Sequence, residues 1–114
     1  MSITVKRVYD PYSSSDGFRI LVDRLWPRGV NKERASVDLW LKDIAPSSGL
    51  RQWFNHDPAK FKEFSLKYQA ELNENPALDE LRQLIAHHKN VTLLFGAKDL
   101  KNNHAAVLKD LLTH

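Results

Sequence analysis

Residues 18–30, FRILVDRLWPRGV, constrain the fold more than any other stretch. Ile20, Leu21 and Val22 form a short apolar run with β-branched members, the pattern of a strand covered on both faces. Charge and turn residues follow at once, in Asp23, Arg24, Trp26, Pro27, Arg28 and Gly29. Pro27 forbids a continuing ladder or helix, and Gly29 permits a sharp reversal. In open α/β sheets, ligands sit just beyond the carboxyl ends of the strands. Two arginines, an acid and an indole at such an end have the character of a site.

Caps and periodicity supply the other elements. Residues 3–9, ITVKRVY, alternate Ile3, Val5 and Val8 loosely and read as a first strand, followed by a loop at 10–17, DPYSSSDG. Residues 31–36 are polar and can open a helical turn, and 37–45, VDLWLKDIA, fit a strand or an irregular segment. Beyond Pro46, Ser47 or Ser48 caps a helix with Leu50, Trp53 and Phe54 on one face. Asp57-Pro58 and Asn75-Pro76 each open a further helix, with the proline where its missing N–H costs nothing. The first, 58–73, repeats Phe61, Phe64, Tyr68 and Leu72. The second carries Leu78, Leu81, Leu84 and Ile85, and ends near His87, His88 and Lys89, where positive charge suits a helix C-terminus. Residues 91–95, VTLLF, make the second buried strand. After a loop at 96–99, Asn102 or Asn103 caps a last helix striped by Ala105, Leu108, Leu111 and Leu112. Trp40, Trp53, Phe54, Phe61, Phe64 and Phe95 read as core aromatics. Strands alternating with helices imply parallel pairing and right-handed crossovers. The expected class is α/β, a small parallel-type sheet flanked by helices in a three-layer sandwich, with 1–114 as a single domain.

If the two buried strands are parallel neighbours, their carboxyl ends bring two polar turns together. Asp23, Arg24, Trp26 and Arg28 then meet Lys98, Asp99, Asn103 and His104. The second turn feeds a helix N-terminus, whose amides and dipole favour an anion. Arginine offers a planar fork for phosphate or carboxylate, Trp26 a stacking surface, and His104 a group titrating near neutral pH. Plain structural roles stand beside these: Asp23 and Arg24 as an ion pair closing a loop, His104 bonded to a carbonyl, Asp57 as a cap only. His56, His87, His88 and His114 lack metal-ligand spacing with any acid, so no metal is expected. Gly17, Gly29, Gly49 and Gly96 are isolated, so no phosphate loop or dinucleotide fingerprint exists and no cofactor is expected. The serines cluster in loops without a nucleophile elbow.

Composition narrows the function further. The chain has no cysteine, which excludes disulfides, thiolate nucleophiles and Fe–S clusters. Its net charge of +3 is spread evenly: residues 1–57 carry nine Lys and Arg against seven Asp and Glu, and 58–114 carry eight against seven. No basic tail or arm exists, which weakens a nucleic-acid footprint. No apolar run approaches the ~20 residues of a membrane span, and residues 1–15 lack the build of a signal peptide. The expected compartment is the cytoplasm, with no membrane association.

With these residues in hand, the chain resembles the domain of unknown function 488 family, and within it the cysteine-free YeaO-like group. The resemblance runs through RVYD at 7–10, RILVDRLWPRGVNKE at 19–33, DLWLKDIAPS at 38–47, LRQWFNHDP at 50–58 and TLLFGAKDLKNNHAAVL at 92–108. The broader family's strand-end motif, Val-Asp-Val-Arg before a proline turn, falls on Val22, Asp23, Arg24 and Pro27. Its second motif, Cys-Ala-Glu then Cys-His-Arg, falls on Phe95, Gly96, Ala97 and on Asn103, His104, Ala105, where only the histidine is kept. The resemblance implies the fold and the pairing of the two turns, and it implies no cysteine or glutamate chemistry for this chain.

Three functional readings follow. In the first, Arg24, Arg28, Lys98 and Asn103 hold an anionic, phosphorylated small molecule, and an enzyme would use His104 as acid or base with Asp23 or Asp99 orienting it. In the second, the same residues engage a nucleotide or nucleic acid, with Trp26 or an exposed Trp40 stacking on a base. In the third, the aromatic helix at 50–68 forms a homodimer or partner face. The chain is expected to act as a monomer or homodimer.

Overall fold

The computed structural model of the chain describes residues 2–113; His114, weighed above as a metal ligand, lies outside them. The sheet has four parallel strands in the order β1 (Ser2–Arg7), β4 (Asn90–Phe95), β2 (Phe18–Leu21), β3 (Leu39–Trp40). The two buried runs are therefore parallel neighbours. Their register pairs Leu21 with Leu94, and on the other side Arg7 pairs with Phe95. All these strands end level, so Tyr9, Asp23 and Gly96 leave the sheet at one edge.

Period two sorts the strand side chains onto two faces. Ile20, Val22, Val91, Leu93 and Phe95 join the larger apolar cluster, and Leu21 and Leu94 join a smaller one with Val8 and Ala35. This is the α/β fold, with unequal layers. The larger cluster is closed by α2 (Ser48–Phe54), α3 (Phe61–Asn73), α4 (Pro76–His87) and α5 (His104–Thr113), through Phe54, Phe64, Tyr68, Leu72, Leu81 and Leu108. The other face carries only α1 (Lys32–Ala35) and the connection through residues 8–17. Each cap acts where the sequence places it: Ser47, Asp57, Asn75 and Asn103 accept from Leu50, Ala59, Ala77 and Ala106 backbone N–H groups.

The thin face is held by charge as well as apolar contact. Arg19 is fully buried, and its guanidinium donates to the Asp16 carboxylate, to Ser36 O at 3.1 Å and to Ala35 O at 2.7 Å. Lys6 Nζ donates to the same carboxylate at 3.0 Å, and Thr92 Oγ1 donates to Asp16 O at 2.7 Å. Burial pushes the Asp16 carboxyl up, but hydrogen bonds from Lys6, the Ser13 N–H and Arg19 outweigh it and hold the group below its ordinary range. Gly17 lets this connection lie on the start of β4, with φ of 69° and no room for a Cβ, which would sit 2.1 Å from Asn90 O.

Residues 37–45, expected as a strand or an irregular segment, hold both: the two-residue strand β3 and a 3-10 turn, Lys42–Ile44. Other expectations are corrected by the packing. Trp40 is not core: it is 37% exposed, and its Nε1 donates to Asp23 O at 2.8 Å, because the outermost strand presents it to solvent. Trp53 and Phe61 are half-buried, whereas Phe54, Phe64 and Phe95 are buried. Among the described residues, no helix is long and apolar enough to cross a membrane.

Candidate functional site

At the carboxyl edge of the sheet the two polar turns face each other, and a cleft of about 770 Å³ opens between them and the end of α2. Asp23 is its centre. Oδ2 accepts from Gly96 N–H at 2.9 Å, tying the turn after β2 to the loop after β4. Arg7 holds that loop from below, donating from Nε to Ala97 O at 2.8 Å and from Nη2 to Gly96 O at 3.2 Å. A Cβ on Gly96 would stand 2.9 Å from Asp23 Oδ2, so any larger residue there would displace the Asp23 carboxylate.

His104 opens α5 and points back to the sheet. Its Nε2 lies 3.0 Å from Val22 O and 3.1 Å from Asp23 Oδ1. A carbonyl can only accept, so Nε2 carries the proton, and its single N–H is given to Val22. Asp23 Oδ1, though close, keeps no hydrogen bond of its own. The imidazole also meets the ring of Tyr68 edge-on at 6.3 Å, and the Tyr68 hydroxyl donates to Ile44 O at 2.6 Å. Burial, followed by the Glu71 charge, drives the Tyr68 phenol far above its ordinary range, so it stays protonated.

Three arginines line the cleft: Arg24, Arg28 and Arg51. Arg24 does not pair with Asp23. It donates from Nη2 to Ala45 O at 3.1 Å and lies 3.8 Å from Asp43, while its Nε is buried without a partner. Arg51 donates to Ser48 Oγ at 3.2 Å, and its Nε is likewise unpartnered. Arg28 is exposed; its carbonyl accepts from the Tyr9 hydroxyl at 3.0 Å, and among the described residues its guanidinium makes no hydrogen bond or ion pair. Among the described residues, the only carboxylate lining the cleft is Asp23.

The remaining candidates divide. Trp26 lines the cleft, but its Nε1 donates to Val30 O at 2.9 Å and its ring meets Trp40 edge-on at 5.4 Å, so it braces the turn. Asn103 lines the cleft and is 2% exposed; Oδ1 accepts from Ala106 N–H and Nδ2 donates to Asp99 O, so it occupies part of the helix terminus expected to face an anion. Lys98 and Asp99 are not among the lining residues. Asp99 closes its own loop, accepting from Lys101 N–H, Asn102 N–H and Asn102 Nδ2. Hydrogen bonds from the Asn102 backbone, then the Asn102 side chain and Lys101 backbone, hold its carboxyl below the ordinary range. Lys98 is exposed on the same loop.

The end of α2 also enters the site. Arg51, Gln52, Asn55 and His56 line the cleft together with Pro27 and His104. The sequence pattern marks this helix only by its apolar face, Leu50, Trp53 and Phe54, and these residues lie off that face. The one local signal is Asn at the helix end: Asn55 and His56 adopt consecutive left-handed conformations, φ 46° and 55°, which asparagine and histidine tolerate better than most residues. Among the described residues, no group of three or more His, Asp or Glu is placed to hold a metal ion.

Fold and site together define a small parallel α/β protein with a basic cleft beyond its strand ends. The chain belongs to the DUF488 family: residues 2–114 match the group described as the inactive DUF488-N3 subclade. It is similar to the uncharacterised protein YeaO of Escherichia coli, 46% identical over 112 residues that span 98% of this chain and 97% of the relative. It is also similar to an uncharacterised protein of Mycobacterium tuberculosis, 44% identical over 110 residues, or 96% of this chain and 92% of the relative. No solved structure matches it.

Proposed function

We propose that residues 1–114 act as one cytoplasmic domain, monomeric or homodimeric, that binds a small anionic, phosphorylated ligand in this cleft. One observation carries the reading: Arg24, Arg28 and Arg51 line a cleft whose sole carboxylate among the described residues, Asp23, is engaged by Gly96 and stands against His104. Guanidinium groups suit the planar, multidentate recognition of phosphate, and an unpaired donor held out of water costs about 1–3 kcal/mol until something accepts from it. Lys98, next to cleft-lining Ala97, adds charge at the approach, and Asn103 and Asp99 shape the loop that carries His104. Trp26 supports the turn in this reading.

Binding without turnover is favoured by the family description, which calls the subclade inactive, and by the loss of Nε2 of His104 to Val22. A second reading, acid–base chemistry by His104 oriented by Asp23, draws on their 3.1 Å approach. A thermal-shift screen of the wild type, Arg28→Ala and His104→Ala against phosphate, sulfate, phosphorylated metabolites, small carboxylates and short oligonucleotides tests both. The expected result is stabilisation of the wild type by a phosphorylated small molecule, lost in Arg28→Ala. Absence of any shift, with the variants folded, removes the anion reading. Conversion of a ligand that shifts the melting point, abolished in His104→Ala, favours the second reading over the first.

A further inference from the structure

The two outer edges of the sheet are built differently. β3 is two residues long and runs at once into the turn Lys42–Ile44, so it leaves little backbone unpaired. β1 has six residues, none of them buried, whereas β4 beside it is buried from Val91 to Phe95. Ser2 N–H donates to Lys89 O at 3.0 Å and Val8 N–H to Phe95 O at 2.8 Å, so in the parallel ladder the even-numbered residues of β1 bond to β4. The N–H and C=O groups of Ile3 and Val5 therefore point away from the sheet, and among the described residues no other element hydrogen-bonds them. At Arg7 the outward carbonyl is already engaged, accepting from Asp10 N–H at 3.0 Å. Soluble proteins commonly guard such an edge with charge, above all with lysine. Here the charged side chains are held elsewhere: Lys6 by Asp16 and Pro11 O, and Arg7 by Gly96 O and Ala97 O. What remains at the edge is Ile3 and Val5, half-buried against the larger apolar cluster.

We propose that β1 is the pairing edge of a homodimer, in which two copies meet antiparallel about a two-fold axis at Thr4 and join their sheets. That axis sets Ile3 of each copy opposite Val5 of the other, the arrangement in which opposed residues exchange both hydrogen bonds. An axis at Val5 would call instead on the Arg7 carbonyl, which Asp10 occupies. The Thr4 axis also lays the exposed Thr4 against its own copy, a favourable cross-strand pair, and Lys6 against Ser2 rather than against another cation. On the face that carries Ile3 and Val5, Lys109 and Asp110 of α5 line a groove beside β1. The two-fold reverses the second α5, and the order Lys109-Asp110 read against its own reverse pairs opposite charges. A strand of unrelated sequence would share the hydrogen bonds but not this match of the edge with itself. The proposal is independent of the anion-binding reading: the cleft lies beyond the strand ends, and antiparallel joining leaves the two clefts facing opposite ways.

The test exploits the absence of cysteine from the chain. Thr4→Cys puts one thiol of each copy on the axis, within reach of a disulfide, whereas Ser2→Cys leaves the two thiols about 13 Å apart along the paired strands. Sedimentation of the wild type is expected to show a dimer, and mild oxidation to convert Thr4→Cys, but not Ser2→Cys, to a covalent dimer. Thr4→Lys sets like charges face to face at a position exposed in a single copy, and is expected to weaken the dimer at least tenfold while circular dichroism shows the fold kept. Should that variant not fold, the wild type decides: exchange of the Ile3 and Val5 amides is expected to slow as protein concentration rises. A wild type that stays monomeric at its highest soluble concentration would overturn the proposal. So would a dimer that Thr4→Lys leaves intact, or one in which those amides exchange at the same rate at every concentration, because the copies would then meet elsewhere. Equal cross-linking of the two cysteine variants would overturn the Thr4 axis.

Discussion

Arginine serves two opposite ends of this molecule. On the thin face of the sheet, Arg19 is fully buried and has each guanidinium nitrogen engaged, by Asp16, Ser36 and Ala35. At the carboxyl edge, Arg24 and Arg51 each keep a buried Nε without a partner, and Arg28 reaches no protein acceptor among the described residues. A buried charge is tolerated only when paired and hydrogen-bonded, so Arg19 is a structural group whose partners the fold supplies. The cleft arginines are incomplete in the same chemical terms. The difference separates a guanidinium that holds the fold from guanidinium groups whose hydrogen bonding the fold leaves incomplete.

The comparison breaks most visibly at Asp16. Asp16→Asn leaves Arg19 buried without its counter-charge, and urea denaturation should show a loss of about 3–5 kcal/mol, a large share of a small domain's stability. The same carboxylate gives the fold an acid limb. Because its folded pKa lies below the unfolded value of about 3.9, its contribution is complete above that value and is lost as pH falls through the folded pKa. A stability profile from pH 7 to pH 2 should therefore fall more shallowly at its acid end in Asp16→Asn than in the wild type. The next effect is at the junction of the two turns. Gly96→Ala presses a Cβ against Asp23 Oδ2 and should cost about 1–3 kcal/mol, with the His104 ring resonances displaced in an NMR spectrum because Asp23 must move away. Unchanged His104 resonances would contradict the Gly96–Asp23–His104 linkage.

Much of this geometry is legible in the sequence, for identifiable reasons. The runs at 20–22 and 91–95 have few ways to be buried other than as central parallel strands, and the proline and glycine after the first force its polar residues to stay at the strand end. That is enough to put Asp23, Arg24 and Arg28 on the same cleft as His104. Arg51, Gln52, Asn55 and His56 are hidden because a helix declares its apolar face, while what its polar face meets depends on how α2 docks. Lys98 and Asp99 are misleading for a local reason: Asp99 finds three donors in its own loop and folds that loop on itself. Trp40 carries the chemistry of a core residue but sits on a two-residue outer strand, and strand order is not written in periodicity. Arg19 sits in an apolar strand where its partners come from residues before and after it in the chain, so its burial shows only once the thin face is assembled.

The smallest expected effect on stability is the most telling. Arg28→Met removes a charge that the fold does not use, and its urea midpoint without ligand should match the wild type to within about 0.5 kcal/mol. The direct test of the account is that denaturation experiment on both proteins, repeated with each phosphorylated molecule of the thermal-shift screen at high concentration. The account predicts that at least one of them raises the wild-type midpoint and leaves Arg28→Met nearly where it was. A variant already destabilised by several kcal/mol in buffer alone, as Asp16→Asn should be, with no phosphorylated molecule moving either protein, would contradict it: the cleft arginines would then hold the fold, as Arg19 does.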